Sequence, residues 1–232
     1  MDSASASASS SEAEEEPGRA PPPRMTTVSR HYFGGASAES DHDLRVDIVE
    51  NIEEDYGMFV WPCSVILAEY VWQQRPRFSR SRVVELGAGT SLPGLVAAKV
   101  GADVTLTDIA HNAELSAFVG NEQVLDNIRQ ICSLNNANCT VLGLTWGDWD
   151  EPVFDLHPDI ILGADVLYDS AKFDDLFATV TFLLENSPGA VFITTYHNRR
   201  FQEILQPSPL DKIPGSYCPN ILARFFCAVV IT

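Results

Sequence analysis

Val83-Val84-Glu85-Leu86-Gly87-Ala88-Gly89, running on through Thr90-Ser91-Leu92-Pro93-Gly94, constrains this chain more than any other stretch. A β-branched pair enters a glycine turn. An apolar, helix-like segment from Leu92 to Val100 follows at once and stops at Gly101, a residue type that ends helices. Strand, glycine turn and helix in that order make a nucleotide cradle, because a backbone without Cβ lets a ligand come close. A second apolar strand, Val104-Thr105-Leu106-Thr107, ends in Asp108, nineteen residues past Gly89. An acid at that offset accepts hydrogen bonds from a ribose diol.

The cradle departs from the dinucleotide fingerprint. The third glycine would stand at Leu92, but the next one is Gly94, behind Pro93. No lysine follows the glycines, which excludes a P-loop. Glu85 would repel phosphate and tolerate a cation. A nucleoside bearing positive charge fits, namely S-adenosylmethionine (SAM). Glu85, Gly87, Ala88, Gly89 and Asp108 are therefore candidate cofactor contacts. A tight turn without a ligand is the alternative, and Asp108 at the end of the next strand weighs against it.

Periodicity lays out the rest. Residues 1–28 are an acidic Ser/Ala/Pro-rich tail, too poor in apolar surface to offset the entropy of ordering, so disorder is expected. His31-Tyr32-Phe33 and the alternating Leu44-to-Val49 run read as a hairpin. Pro62 opens a helix that is apolar nearly all round from Val65 to Trp72. Val124, Leu125, Ile128, Ile131 and Cys132 recur with helical period, as do Phe173, Leu176, Phe177, Val180 and Leu184. Strands are expected at Val141–Leu144, Asp159–Ala164 and Ala190–Tyr196. Strands alternating with helices give an α/β fold with a parallel sheet covered on both faces. Gly87, Asp108, Trp146 and Asp165 all follow strand ends, so they converge on the rim where such sheets bind ligands.

Net charge is −17. That argues against a phosphate-tracking nucleic-acid binder and favours cationic partners such as Lys- or Arg-rich peptides, with acidity that merely keeps the protein dispersed as the alternative. No apolar run reaches the ~18 residues of a membrane span. Five cysteines form no C-x-x-C pair. The expectation is reduced thiols in a cytoplasmic or nuclear protein, with no metal site. Oligomeric state is left open.

Two constellations carry chemistry. Trp146-Gly147-Asp148 follows the third strand, where the indole can lie against adenine or cap the core. Trp61, in Phe59-Val60-Trp61-Pro62, is a second aromatic candidate near the cofactor; packing under the hairpin is its alternative. Asp165-Val166-Leu167-Tyr168 follows the fourth strand. Methyl transfer to nitrogen is an in-line displacement that depends on positioning. A carboxylate there orients the nitrogen, and a ring flanks a cationic side chain. Asp165 and Tyr168 are the candidate catalytic pair, with a helix cap as the plainer role for Asp165. His197 is a weaker candidate base.

The motifs YGMFVWPC, ELGAGTSLPGL, TLTDI, GLTWGD and DIILGADVLYD, in this order, resemble methyltransferase family 16, the seven-strand SAM-dependent protein methyltransferases. The similarity runs from about residue 30 to 198. It implies a SAM-dependent methyltransferase domain over 29–200 and a Rossmann-like seven-strand sheet whose last helix and two strands would fall after residue 200, where they are incomplete. It also implies cofactor contacts at Trp61, Gly87 through Gly89, Asp108, Trp146 and Ala164, and an acid-x-x-aromatic substrate motif at Asp165 to Tyr168. The implied activity is protein N-methylation on Lys or Arg, histone arginine among the candidates. A small-molecule methyltransferase and a non-catalytic methyltransferase-like interaction protein are the alternatives. Two departures stand out. The segment after Asp108 is long, with an insertion near Leu115 to Glu122. Residues 201–232 form a divergent or truncated ending, in which Ile221–Ile231 supplies one strand and a missing antiparallel hairpin leaves a sheet edge uncovered.

Overall fold

Val83 and Val84 face opposite sides of one sheet, and that alternation organises the computed structural model, which describes residues 26–34, 44–51, 58–109, 121–148, 151–197 and 225–231. A hairpin comes first, β1 (Thr26–Phe33) and β2 (Leu44–Asn51), paired antiparallel with His31 opposite Val46. Helices α1 (Pro62–Gln73) and α2 (Arg75–Phe78) lead to β3 (Arg82–Glu85), α3 (Leu92–Lys99) and β4 (Asp103–Asp108). Then come α4 (Asn121–Leu134), β5 (Cys139–Gly143), the short α5 (Glu151–Phe154) and β6 (Ile160–Ala164). A 3₁₀ turn (Ser170–Lys172), α6 (Phe173–Asn186), β7 (Val191–His197) and β8 (Phe225–Ile231) complete the order.

The strands form a six-stranded, wholly parallel sheet in the order β5-β4-β3-β6-β7-β8. Side chains alternate across it with period two. Val83, Val104, Leu106, Ile160, Leu162 and Ile193 pack on the face covered by α1, α3 and α4. Val84, Leu86, Ile161 and Phe192 pack on the other face, against Leu176, Phe177, Val180 and Leu184 of α6. This is the expected α/β, Rossmann-like layering. Because all strands run the same way, their C-terminal ends share one rim.

The hairpin is held to the helical layer by the Asn135 side chain. Its Oδ1 accepts the Asp47 N–H at 2.9 Å and its Nδ2 donates to the Asp47 carbonyl at 2.6 Å. Asn127 Nδ2 donates to the Val49 carbonyl at 3.2 Å. At the opposite end of the sheet from the rim, Arg82 and Asp159 pair at 3.0 Å and tie β3 to β6.

Two expectations change. Strand β1 starts at Thr26, so residues 26–28 belong to the hairpin and not to the tail. Thr26, Thr27 and Val28 are β-branched and find partners in Asn51, Glu50 and Val49. The expected seven-strand sheet has six strands among the described residues: the one strand expected within Ile221–Ile231 forms as β8, pairs with β7 in parallel with a register shift between Thr194 and Thr195, and is itself an edge. A continuous apolar run such as Phe225–Ile231 suits a parallel strand. The rest of the tail, the acidic loop at 39–43 and most of 201–232 lie outside the described residues. So does the inserted segment, except that Asn121 and Glu122 already belong to α4. Cys63, Cys132 and Cys139 are free thiols, and no helix among the described residues is long and apolar enough to cross a membrane.

Candidate functional site

The rim is built first from the turn after β3. Gly87 and Gly89 take φ of +59° and +50°, backbone that only glycine adopts without cost. Four hydrogen bonds fix this turn. Leu86 N–H donates to the Leu162 carbonyl at 2.9 Å, and Ala88 N–H to the Thr107 carbonyl at 2.9 Å. Thr107 Oγ1 donates to the Glu85 carbonyl at 2.7 Å. Ser91 N–H donates to the Ala88 carbonyl at 2.6 Å. Ser91 shares the left-handed backbone (φ +59°). Its buried hydroxyl has no hydrogen-bond partner among the described residues.

Asp108 ends β4 with its carboxylate directed at this turn. Oδ2 accepts the Gly89 N–H at 2.7 Å, and Oδ1 accepts the Ile109 N–H at 2.8 Å. Burial pushes its pKa above the usual carboxylate range, against the pull of those two bonds. Each oxygen retains acceptor capacity, so Asp108 can brace the turn and still receive a ribose hydroxyl.

Glu85 lies behind the cradle. It is 1% exposed, and its Oε2 accepts the Gly94 N–H at 2.9 Å, in the first turn of α3. Burial raises its pKa to about 8, the Gly94 bond pulls the other way, and the Asp108 charge adds a further rise. A Cβ on Gly94 would collide with this carboxyl and with Leu106. Glu85 therefore supports α3 from beneath.

Trp146 closes one side. A Cβ on Gly87 would stand 3.1 Å from Trp146 Cζ2 and 3.2 Å from Val166 Cγ1. The indole thus lies along the glycine turn while its other contacts are with the α6-side core. Gly147 (φ +84°) holds it there, donating its N–H to Thr179 Oγ1 at 3.0 Å. Asp148 is exposed.

At the end of β6, Ala164 pairs with Thr195, and Asp165 turns into left-handed backbone with φ +55°. Its N–H donates to the Thr195 carbonyl at 2.8 Å, and its Oδ1 accepts the His197 N–H at 3.3 Å. The helix cap here is Asp169, whose Oδ1 accepts the Ala171 N–H at 2.9 Å. Asp165 itself is buried. Tyr168 is 55% exposed and stands at the surface three residues on. The exposed His197 ends β7, and what it gives Asp165 is its backbone N–H.

Trp61 is half-buried at the N-cap of α1, its ring 4.3 Å from that of Phe59. Met58 and Val60 meet the hairpin, joining the core beside Val46 and Ile48. Asn51 N–H donates to the Met58 carbonyl at 2.8 Å, and Val60 N–H to Glu50 Oε2 at 2.8 Å.

The structure therefore gathers Gly87, Ala88, Gly89, Asp108, Trp146, Ala164 and Asp165 at one rim, with Glu85 beneath it and Tyr168 outside. Sequence reasoning missed Gly94 as a contact point, the orphaned Ser91 hydroxyl and the threonines. Thr107, Thr179 and Thr195 are each at most 1% exposed. A hydroxyl inside an apolar run was the available signal, since burial demands a partner for it. No group of His, Cys, Asp and Glu among the described residues is arranged to hold a metal ion.

With this geometry in place, comparisons point one way. A family described as lysine methyltransferase matches residues 40–205. Histone-arginine methyltransferase METTL23 of Xenopus laevis is 46% identical over 69% of this chain and 66% of its own length. EEF1A lysine methyltransferase 3 of Mus musculus is 34% identical over 61% of this chain and 57% of its own. The chain thus spans under two thirds of either relative. Among solved structures, the 16S rRNA N2 G1207 methyltransferase RsmC of T. thermophilus, in complex with AdoMet and guanosine, superposes with a TM-score of 0.53. It is 19% identical and covers 74% of this chain and 42% of its own, a likeness of fold.

Proposed function

Because the chain belongs to the lysine methyltransferase family, we propose that it is a SAM-dependent protein N-methyltransferase acting on Lys or Arg side chains of a basic protein. Histone arginine is our first candidate substrate, on the strength of 46% identity to a histone-arginine methyltransferase. The observation that carries the reading is the cradle itself: two left-handed glycines between Trp146 and the Asp108 carboxylate.

The residues present suit the cofactor. Gly87, Ala88 and Gly89 offer close backbone approach, Asp108 a ribose acceptor, and Trp146, with Trp61, aromatic surface. Bound there, SAM supplies a methyl group activated by its sulfonium. The chain's own part is positioning. Asp165, fixed by Thr195 and His197, orients the attacking nitrogen and offsets the positive charge that grows on it. Tyr168 offers an exposed ring beside a cationic side chain. The charge of −17 draws basic substrates in by long-range attraction. Reduced thiols fit the cytoplasm or nucleus as the place of action.

Incubating the protein with labelled SAM and a cell extract tests this. A labelled protein band is expected. Label only in small molecules would favour the small-molecule alternative, and no transfer at all would favour a non-catalytic role.

A further inference from the structure

Thr195 is fully buried near the end of β7 and bonds in two directions. Its Oγ1 donates to the Cys63 carbonyl at 3.0 Å. Its own carbonyl accepts the Asp165 N–H at 2.8 Å. Two residues on, His197 N–H reaches Asp165 Oδ1 at 3.3 Å. Cys63 lies in the first turn of α1, which begins at the N-cap Trp61 and Pro62. One residue therefore joins the turn bearing Trp61 to the turn bearing Asp165.

That tether adds a side-chain bond to the backbone bonds that Ser64 N–H and Val65 N–H make to the Trp61 carbonyl, at 2.9 and 3.4 Å, where α1 begins. Trp61 makes no side-chain cap, no acidic residue stands in the first turn, and proline at its start contributes no N–H. A valine would suit the apolar interior of β7 equally well in volume. A threonine hydroxyl in that place costs stability unless it is bonded, and its bond runs to the first turn of α1.

We propose that Thr195 is a positioning residue, which sets the spacing between the Trp61 turn and Asp165 and so aligns the cofactor with the nitrogen to be methylated. This rests on the chain being a SAM-dependent methyltransferase. Thr195→Val removes the hydroxyl and keeps the shape, whereas Thr195→Ser keeps the hydroxyl. Thr195→Ala serves in place of T195V if that variant does not fold.

The test has two arms. The first is ¹⁹F NMR of protein labelled with 5-fluorotryptophan, the Trp61 resonance assigned with Trp61→Phe. The second is calorimetric titration with SAM. T195V should shift or broaden the Trp61 resonance without cofactor present. It should also weaken SAM binding about three- to tenfold, as loss of one neutral hydrogen bond allows. T195S should restore both, with affinity within about twofold of wild type. A folded T195V with a wild-type Trp61 resonance and wild-type SAM affinity overturns the proposal, even if its melting temperature falls. Wild-type protein that binds no SAM overturns the methyltransferase reading and with it the alignment role. The cofactor-free resonance then still reports on the tether itself.

Discussion

The buried carboxyl of Glu85 accepts the backbone N–H of Gly94 across 2.9 Å, so the strand that enters the glycine turn is bonded to the helix that leaves it. The turn is clamped from behind by a side chain its own strand provides.

Stability should therefore depend on the charge of Glu85. Its pKa rises from 4.5 to about 8 on folding, chiefly through burial. The folded protein holds this proton where the unfolded chain has released it. The resulting stabilisation is full below about pH 4.5 and is lost as pH rises toward about 8, by up to ~1.4 kcal/mol per pH unit for one proton. Glu85→Gln keeps an oxygen for Gly94 and cannot titrate. Urea unfolding of both proteins between pH 5.5 and 8.5 should show wild type losing ground steadily against E85Q. Parallel profiles would mean that Glu85 is already ionised in the folded state.

Asp108 and Gly89 should govern cofactor affinity together, because they are bonded at 2.7 Å. Gly89→Val places a β-branched side chain at φ +50° in the cradle, blocking nucleoside approach. Asp108→Ala removes the ribose acceptor and the brace on the turn. Loss of one charge-assisted hydrogen bond is worth roughly 1.5–3 kcal/mol, about ten- to a hundredfold in affinity. Calorimetry on folded variants checks this, and unchanged SAM binding in both would remove the cofactor assignment.

Neighbouring residues of the Asp165-to-Tyr168 turn should separate stability from transfer. Asp169 caps the 3₁₀ turn, so Asp169→Ala should cost about 0.5–2 kcal/mol of stability and leave the rate per folded molecule near wild type. Tyr168 is largely exposed, so Tyr168→Ala should leave the melting temperature alone and slow methyl transfer severalfold. Tyr168→Phe should be mild, since the ring flanks the cation and the hydroxyl does not. Thermal melts beside single-turnover rates decide. Equal activity in Tyr168→Ala and wild type would take the ring out of the site.

Much of this arrangement was legible because the relevant signals are local. Val83-Val84 before Gly87-Ala88-Gly89 announces strand and turn, and Asp108 announces the end of the next strand. Helical period marked α4 and α6, and short apolar runs marked the strands, without any tertiary knowledge. What escaped depends on distant partners. Glu85 reads as an open acid until α3 is folded over it, and the cap of the 3₁₀ turn proves to be Asp169, whose carboxylate takes the Ala171 N–H. Nothing in Thr195 alone points to Cys63, 132 residues away. The apolar Phe225–Ile231 run marks a strand, but its pairing with β7 appears only once that edge is built.

The central claim is that this rim transfers a methyl group to protein nitrogen with Asp165 holding the nitrogen in line. Asp165→Asn is the informative variant, because asparagine tolerates the left-handed backbone at φ +55° and keeps the shape while removing the charge. The measurement is single-turnover transfer of labelled methyl from SAM-loaded enzyme to core histones, wild type against D165N at matched SAM occupancy. The account predicts labelled protein with wild type and a rate at least about a hundredfold lower with D165N, as expected when the lost interaction is made chiefly in the transition state. Transfer at the wild-type rate by a folded, SAM-loaded D165N enzyme would contradict it.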